Sequence, residues 1–289
     1  MGKAQEVRAR LTTIVDAVLS VVLAPACAAC GEPLEHPTRG PVCSACWRSI
    51  LPLTPPLCDS CGDPLPSWRI ISVPLARCPR CRRTRPAVDR GRAIGSYEGA
   101  LRAIVHALKY EGRRSLARPL ADLMRERGAE MLAGSDCLVP VPLHPTRRRA
   151  RGFNQALDLA RHLGRPVRKA LRRVRATPTQ TGLPAAQRHR NVRDAFAMAP
   201  RTPSLSGATV VLVDDVSTTG ATLEACARVL KAAGAREVRA LMAARVVVNS
   251  PIQLSVRRDA AALNTSSAMA SFERSPSTTA QPPAAACRR

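Results

Sequence analysis

"VVLVDDVSTTGATLEACARVL", residues 210–230, is the stretch on which the fold turns. The strand formers of residues 209–213 end in two adjacent carboxylates, Asp214 and Asp215. Like charges side by side repel, so such a pair closing an apolar run points to a bound group. A short hydroxyl-rich segment follows, with Ser217, Thr218, Thr219, Gly220 and Thr222. Leu223 to Ala233 then reads as an amphipathic helix stopped by Gly234. In open parallel sheets, ligands sit outside the carboxyl ends of the strands. The loop's backbone N–H groups, hydroxyls and helix N-terminus suit a phosphate dianion, and Gly220 lets the backbone approach it closely. The carboxylates would repel that phosphate, so they should face sugar hydroxyls instead. The expected ligand carries a phosphate near a diol, as ribose 5-phosphate does.

Working outward, strands alternate with helices. "GRAIGSYEGALRAIVHALKYEG" (residues 91–112) reads as a short strand, a turn and a helix with Leu101, Ile104, Val105 and Leu108 on one face. Leu116 to Met131 reads as one helix ending near Gly134, "DCLVPVPL" (136–143) as a buried strand, and "NQALDLARHLG" (154–164) as a helix stopped by Gly164. "EVRALMAARVVV" (237–248) is the last strand. This alternation predicts an α/β fold, a parallel sheet with helices on both faces. Four segments are expected: an apolar helix over 1–25, a cysteine-rich module over 26–88, the α/β domain over 89–249 and a disordered tail over 250–289.

Eight of the eleven cysteines form C-x-x-C pairs: Cys27/Cys30, Cys43/Cys46, Cys58/Cys61 and Cys78/Cys81. Two thiolates three positions apart form one edge of a tetrahedral zinc site, and two such knuckles close it. "CAACGEPL" at Cys27 repeats as "CDSCGDPL" at Cys58, each followed by a plainer pair. The repeat argues for tandem ribbons, Cys27/30/43/46 and Cys58/61/78/81, with one structural Zn²⁺ each. A cross-braced pairing satisfies the same spacing, and a disulfide scaffold is the further alternative. His36 reads as a loop residue, Cys137 and Cys226 as buried, and Cys287 as part of the tail. The module is poor in large apolar residues, so metal binding would supply much of its folding free energy.

The net charge is +24, with 45 Lys and Arg against 21 Asp and Glu. That balance suits polyanionic partners, nucleic acid or phosphorylated small molecules; biased codon usage accounts for Arg and Ala enrichment equally well. Only seven residues are aromatic, which is against a stacking platform for single strands. No run reaches a membrane-spanning length. Leu11 to Ala24 has the outline of a signal sequence, but Asp16 interrupts it and Cys27 belongs to a zinc knuckle. A cytoplasmic protein is therefore expected, whose first helix docks its apolar face on the body. Walker A and G-x-G-x-x-G loops are absent. A receiver domain, which also ends a strand in an acid pair, would need a long downstream half that this chain lacks.

"VVLVDDVSTTGATL" resembles the phosphoribosyl-diphosphate-binding motif of type I phosphoribosyltransferases: an apolar strand, two acids, then T-T-G-x-T. The wider chain is similar to one branch, the ComF family. "YEGALRAIVHALKYEG", "LVPVPLHPTRRRARGFNQALDLA", "TPTQTGLPAAQRHRNVRDAF" and the cysteine-rich start resemble ComF segments in order, over roughly residues 10 to 248. The resemblance implies a type I phosphoribosyltransferase-like sheet preceded by a double zinc ribbon. It implies a pentosyl-transferring glycosyltransferase that binds phosphoribosyl diphosphate with Mg²⁺. Asp214 and Asp215 would hold the ribose hydroxyls, and Val216, Ser217, Thr218, Thr219, Gly220, Ala221 and Thr222 the 5-phosphate. A loop over Val139 to Phe153 would meet the pyrophosphate with Arg147, Arg149 and Arg151, beside Arg148. Gln180, Arg188 and Asn191 would belong to a lid over Thr177 to Phe196. Read alone, one arginine of the run is a solvated charge, and His106, Lys109 and Tyr110 read as a helix face as readily as a ligand contact. The resemblance also implies a role in competence, so the alternative is a non-catalytic protein of DNA uptake that binds single-stranded DNA or an uptake partner.

Overall fold

The computed structural model describes residues 2–65, 76–175, 192 and 194–247. Its centre is a parallel sheet in the order β1 (Arg90–Ala93), β6 (Glu237–Arg245), β5 (Thr209–Ser217), β2 (Cys137–Pro140). The two long strands lie in the middle, in a register that pairs Val213 with Leu241. Val210 to Val213 are all buried, the mark of a strand covered on both faces. Pro140, which lacks a ladder donor, ends the edge strand β2.

Successive strand residues point to opposite faces, and each face has its own core. Val211, Val213, Leu241 and Ala243 pack with α4 (Gly99–Tyr110), α5 (Ala117–Arg127) and α8 (Gln155–Ala160). Val210, Leu212, Ala240 and Met242 pack with Leu223, Cys226, Ala227 and Leu230 of α9 (Ala221–Ala232). The expected α4 face is correct: Leu101, Ile104, Val105 and Leu108 are buried. Cys137 and Cys226 are buried as well.

Four local readings differ from the structure. The helix expected over Leu116 to Met131 breaks at Gly128, giving α5 and a separate α6 (Ala129–Leu132). A Cβ at Gly128 would stand 2.4 Å from Leu241 Cδ1, so the break lets this turn lie against β6. The segment expected as a loop over Val139 to Phe153 contains a helix, α7 (Pro145–Arg151). Pro145 opens it, the His144 ring nitrogen accepts from the Thr146 N–H at 3.3 Å, and Gly152 closes it in the left-handed region. A small antiparallel pair, β3 (Leu171–Arg173) with β4 (Phe196–Met198), stands outside the main sheet and was not anticipated; three residues are too short to show a period.

The fourth difference is at the start. In α1 (Gly2–Val22), Asp16 faces inward and is 4% exposed. It accepts from the Thr38 N–H at 2.8 Å and lies 3.4 Å from His36 Nδ1. The Thr38 amide outweighs burial and lowers its pKa. Ser20 donates to the Leu34 carbonyl at 3.2 Å. Leu11, Ile14, Val18 and Val21 are exposed, so the helix docks by its polar side rather than its apolar one. Among the described residues no helix is long and apolar enough to cross a membrane. Gln180, Arg188, Asn191, Cys287 and the segment 250–289 lie outside the described residues.

Candidate functional site

The strand period separates the two acids. Asp215 turns toward the α4 face, where Lys109, in the last turn of α4, places Nζ 2.8 Å from its Oδ1. Asp214 turns toward the α9 face, within electrostatic range of Arg173 and Cys226. Burial, and then the charge of Asp215, push the Asp214 carboxyl up to about 8, against the pull of Lys109. Burial would depress Lys109, but Asp215 outweighs it and its pKa is raised. The remaining oxygen of Asp215, Oδ2, is buried and has no hydrogen-bond partner among the described residues. A buried carboxylate oxygen without a donor is costly, so the site lacks a hydroxyl or N–H that a ligand would bring.

The strand does not stop at the acids as expected: β5 runs on through Val216 to Ser217, paired with Ala244 and Arg245, and the chain then turns through Thr218, Thr219 and Gly220 into α9. Gly220 holds φ of +75°, which a side chain would strain, and serves as the residue before the helix. The Thr219 hydroxyl accepts from the Ala221 N–H at 3.4 Å. Ser217 is buried, as is Ala221; Val216, Thr218, Thr219 and Thr222 are half-buried. From outside the loop, Arg80 donates to the Thr219 carbonyl at 2.6 Å and Arg245 to the Ser217 hydroxyl at 3.4 Å.

The arginines of α7 part company. Arg147 and Arg151 line a cleft of about 580 Å³ with Lys109, Tyr110 and Phe153, next to the Asp215 side of the strand end. Arg151 lies 5.3 Å over the Tyr110 ring and donates to Gln155 Oε1 at 2.8 Å. Arg148 and Arg149 instead line a second cleft, of about 500 Å³, with Leu171, Arg172 and Arg173. Arg149 is thus separated from the two arginines with which the sequence grouped it. Lys109, which the sequence left open between a helix face and a ligand contact, belongs to the site, and Arg173 is the site residue that sequence reasoning passed over. Lys109 carried a weak signal as the last-turn cation of a helix whose C-terminal end faces the sheet's carboxyl edge; Arg173 carried none.

The cysteines fall into the tandem arrangement. Cys27, Cys30, Cys43 and Cys46 form one group and Cys58, Cys61, Cys78 and Cys81 another, with sulfurs within 4.8 Å of one another in each. Tetrahedral zinc with Zn–S bonds of ~2.3 Å spaces its sulfurs ~3.8 Å apart, and Cys61 and Cys78 stand 3.7 Å apart. Backbone amides complete the donor set: Cys43 N–H approaches Cys27 Sγ at 3.3 Å, and Cys78 N–H approaches Cys58 Sγ at 3.3 Å. Burial pushes the Cys27 thiol up, but the amides of Cys43 and Ala29 contribute to bringing it down to about 6. Both groups fit structural Zn²⁺. The cross-braced pairing is excluded, because each group draws on consecutive knuckles.

Two families match the chain: the double zinc ribbon domain over residues 18–82 and the phosphoribosyl transferase domain over residues 149–253. The chain is 34% identical over 223 residues to the DNA utilization protein YhgH of Salmonella typhimurium, covering 74% of this chain and 93% of that one. It is 31% identical over 214 residues to Competence protein F of Haemophilus influenzae, covering 71% and 90%. The chain belongs to the ComF family. A further ComF relative, Competence protein ComFC of Bacillus subtilis, is 26% identical over 196 residues, covering 65% and 77%. In ComF terms the double ribbon stands before a phosphoribosyltransferase-type α/β domain, and the acid pair lies near the carboxyl end of a central strand of its sheet.

Proposed function

We propose that this protein binds phosphoribosyl diphosphate and transfers its phosphoribosyl group to an acceptor still to be identified. The observation that carries the reading is the buried, donor-less Oδ2 of Asp215 beside an amide- and hydroxyl-rich turn at a helix N-terminus. One ribose hydroxyl supplies the missing donor to Asp215, and its neighbour bonds to Asp214, whose Oδ1 already accepts from the Asp215 N–H. The N–H groups and hydroxyls from Val216 to Thr222 receive the 5-phosphate. Arg147 and Arg151, in the cleft beside Lys109, offset the charge of departing pyrophosphate. The bond from C1 to pyrophosphate breaks through an oxocarbenium-like state, and the protein contributes positioning and charge stabilisation without a nucleophile. Mg²⁺ bound with the donor would supply further neutralisation of the pyrophosphate, and the carboxylate oxygens of Asp214 and Asp215 are of the hard type that would hold it. Gln180 and Arg188 are assigned to a lid on the family resemblance. Isotope-labelled phosphoribosyl diphosphate with Mg²⁺, offered purine, pyrimidine and amine acceptors, tests the reading: label should transfer to one acceptor class. No transfer, together with no calorimetric binding of the donor, would refute it.

A second reading draws on the cleft of Arg148, Arg149, Arg172 and Arg173, distinct from the cleft beside Lys109, and on relatives named for competence and DNA utilization. In it the protein serves DNA uptake by binding single-stranded DNA or an uptake partner, with the sugar-phosphate site as a ligand site only. Affinity for a single-stranded oligonucleotide that falls steeply with salt, with no phosphoribosyl transfer, would favour it. Both readings place the protein in the cytoplasm, where cysteines of the zinc type stay reduced.

A further inference from the structure

The second ribbon is built into the phosphate loop. Arg80 lies between Cys78 and Cys81 on α3 (Pro79–Arg83), and its Nη1 donates to the Thr219 carbonyl at 2.6 Å. Its Nη2 lies 3.7 Å from Oδ2 of Asp63, two residues after Cys61. The other Asp63 oxygen pairs with the Arg245 Nε, and Arg245, 1% exposed, reaches the Ser217 hydroxyl with Nη1. The segment that leaves the ribbon is fixed too, because Glu224 of α9 accepts from the Ala87 N–H at 2.9 Å. Side chains springing from, or paired with, the two knuckles of this one ribbon therefore hold both ends of the Ser217–Gly220 turn.

The Thr219–Gly220 peptide is the sensitive unit. A trans peptide is planar, with its C=O and N–H on opposite sides. Drawing the Thr219 carbonyl toward Arg80 therefore turns the Gly220 N–H away from the ribbon. Gly220 tolerates φ of either sign, so this peptide can rotate at little cost unless something holds it. A charge-assisted hydrogen bond from a half-buried guanidinium does so.

We propose that Arg80 is a positioning residue for the phosphate-binding turn, and that the metal-bound second ribbon sets the orientation of the Thr219–Gly220 peptide. The proposal rests on the sugar-phosphate reading of the turn. The first ribbon is the internal control: Ala45 occupies the position of Arg80, and exposed Glu32 that of Asp63.

The test compares Arg80→Ala, Arg80→Lys and Glu32→Ala in the full chain. Zinc content, amide hydrogen exchange over residues 216–222 and calorimetric affinity for ribose 5-phosphate are read for each. Arg80→Ala should keep the wild-type zinc content, exchange faster in the turn and bind about tenfold more weakly, the effect of one charged hydrogen bond. Arg80→Lys, which can still donate to the carbonyl, should recover much of both, and Glu32→Ala should change neither. Unchanged exchange in Arg80→Ala overturns the proposal, as does zinc loss, which would make Arg80 a structural part of the ribbon. If the wild type itself does not bind ribose 5-phosphate, the functional reading fails, while the exchange comparison still decides the role of Arg80.

Discussion

The two ribbons are near copies in backbone and opposites in employment. In both, the first cysteine N–H donates to a carbonyl five residues on: Cys27 to Glu32 and Cys58 to Asp63, each at 2.8 Å. Gly31 and Gly62 both hold positive φ, and both second knuckles open a short helix, α2 (Ser44–Arg48) and α3. The first ribbon merges with the α4 core through Cys27, Leu34, Val42 and Ile50 and carries α1. The second keeps a small cluster of its own, Cys58, Leu65, Cys78 and Cys81, aims the Arg80 side chain at the turn before α9, and accepts from Arg92 of β1 with its Cys58 and Asp59 carbonyls. Spacing and metal fix a knuckle's backbone, and the residues between the cysteines decide what it touches.

The largest test of this contrast is removal of one metal at a time. Structural zinc contributes on the order of 10 kcal/mol to folding of such modules, so Cys58→Ser and Cys27→Ser should each leave one zinc per chain of the wild type's two, by elemental analysis. They should differ in consequence. Cys58→Ser should abolish measurable ribose 5-phosphate binding with α4 still protected from hydrogen exchange. Cys27→Ser should expose α1 and the start of α4 and weaken binding far less. Equal losses of binding would break the distinction.

The two carboxylates repeat the lesson on a smaller scale, since they are adjacent in sequence and divided by the strand. Lys109→Met leaves Asp215 buried without its cation, which should cost about 3–5 kcal/mol by chemical denaturation. The double change Asp214→Asn with Asp215→Asn should abolish sugar-phosphate binding in calorimetry while the chain still folds. It should nevertheless be less stable than the wild type, since Lys109 then loses its partner.

Glycine substitutions grade the ribbons more finely. A Cβ on Gly31 meets nothing within 4 Å, whereas one on Gly62 would stand 2.6 Å from the Gly91 carbonyl of β1. Gly31→Ala should therefore cost only the ~1 kcal/mol of a left-handed alanine, and Gly62→Ala about 2–3 kcal/mol once the overpacking is added. Differential melting of the two variants reads this directly, and equal melting points would mean the second ribbon is not seated on the sheet.

The gentlest effect is that of pH. Asp214 is held at about 8 when folded against 3.8 for the free group. Between these values the folded state binds the extra proton, so stability falls as pH rises through the window and levels off above it. Asp214→Asn should flatten that decline in a series of melting curves from pH 5 to 8, and Asp215→Asn should lower the Asp214 value by removing its neighbour's charge.

Much of this was legible in the residues. Two thiols three apart, a glycine after the second and a repeat of the motif depend on contacts within a few positions, and the structure groups the cysteines as the repeat implied. The same holds for the buried face of α4 and for the existence of the acid-bearing strand, although its ladder carries β5 two residues past the acids. The first helix misled because its apolar stripe suggested docking, while Asp16 finds partners in His36 and Thr38 that no local pattern announces. The α7 arginines misled in the other direction: a run of like residues looks like one patch, yet the helical turn sends Arg147 and Arg151 to one cleft and Arg148 and Arg149 to another.

What the sequence by itself determined is local and periodic: the metal knuckles, the strand with its two acids, the glycine turn and the alternation that makes a parallel sheet. Only the tertiary structure decided that Lys109 closes on Asp215 and that Arg80 grips a carbonyl 139 residues away. The physical reason is that hydrogen-bonding period and turn chemistry act over one or two turns of chain. A charge finds its distant partner only after the packed core has fixed where both must stand.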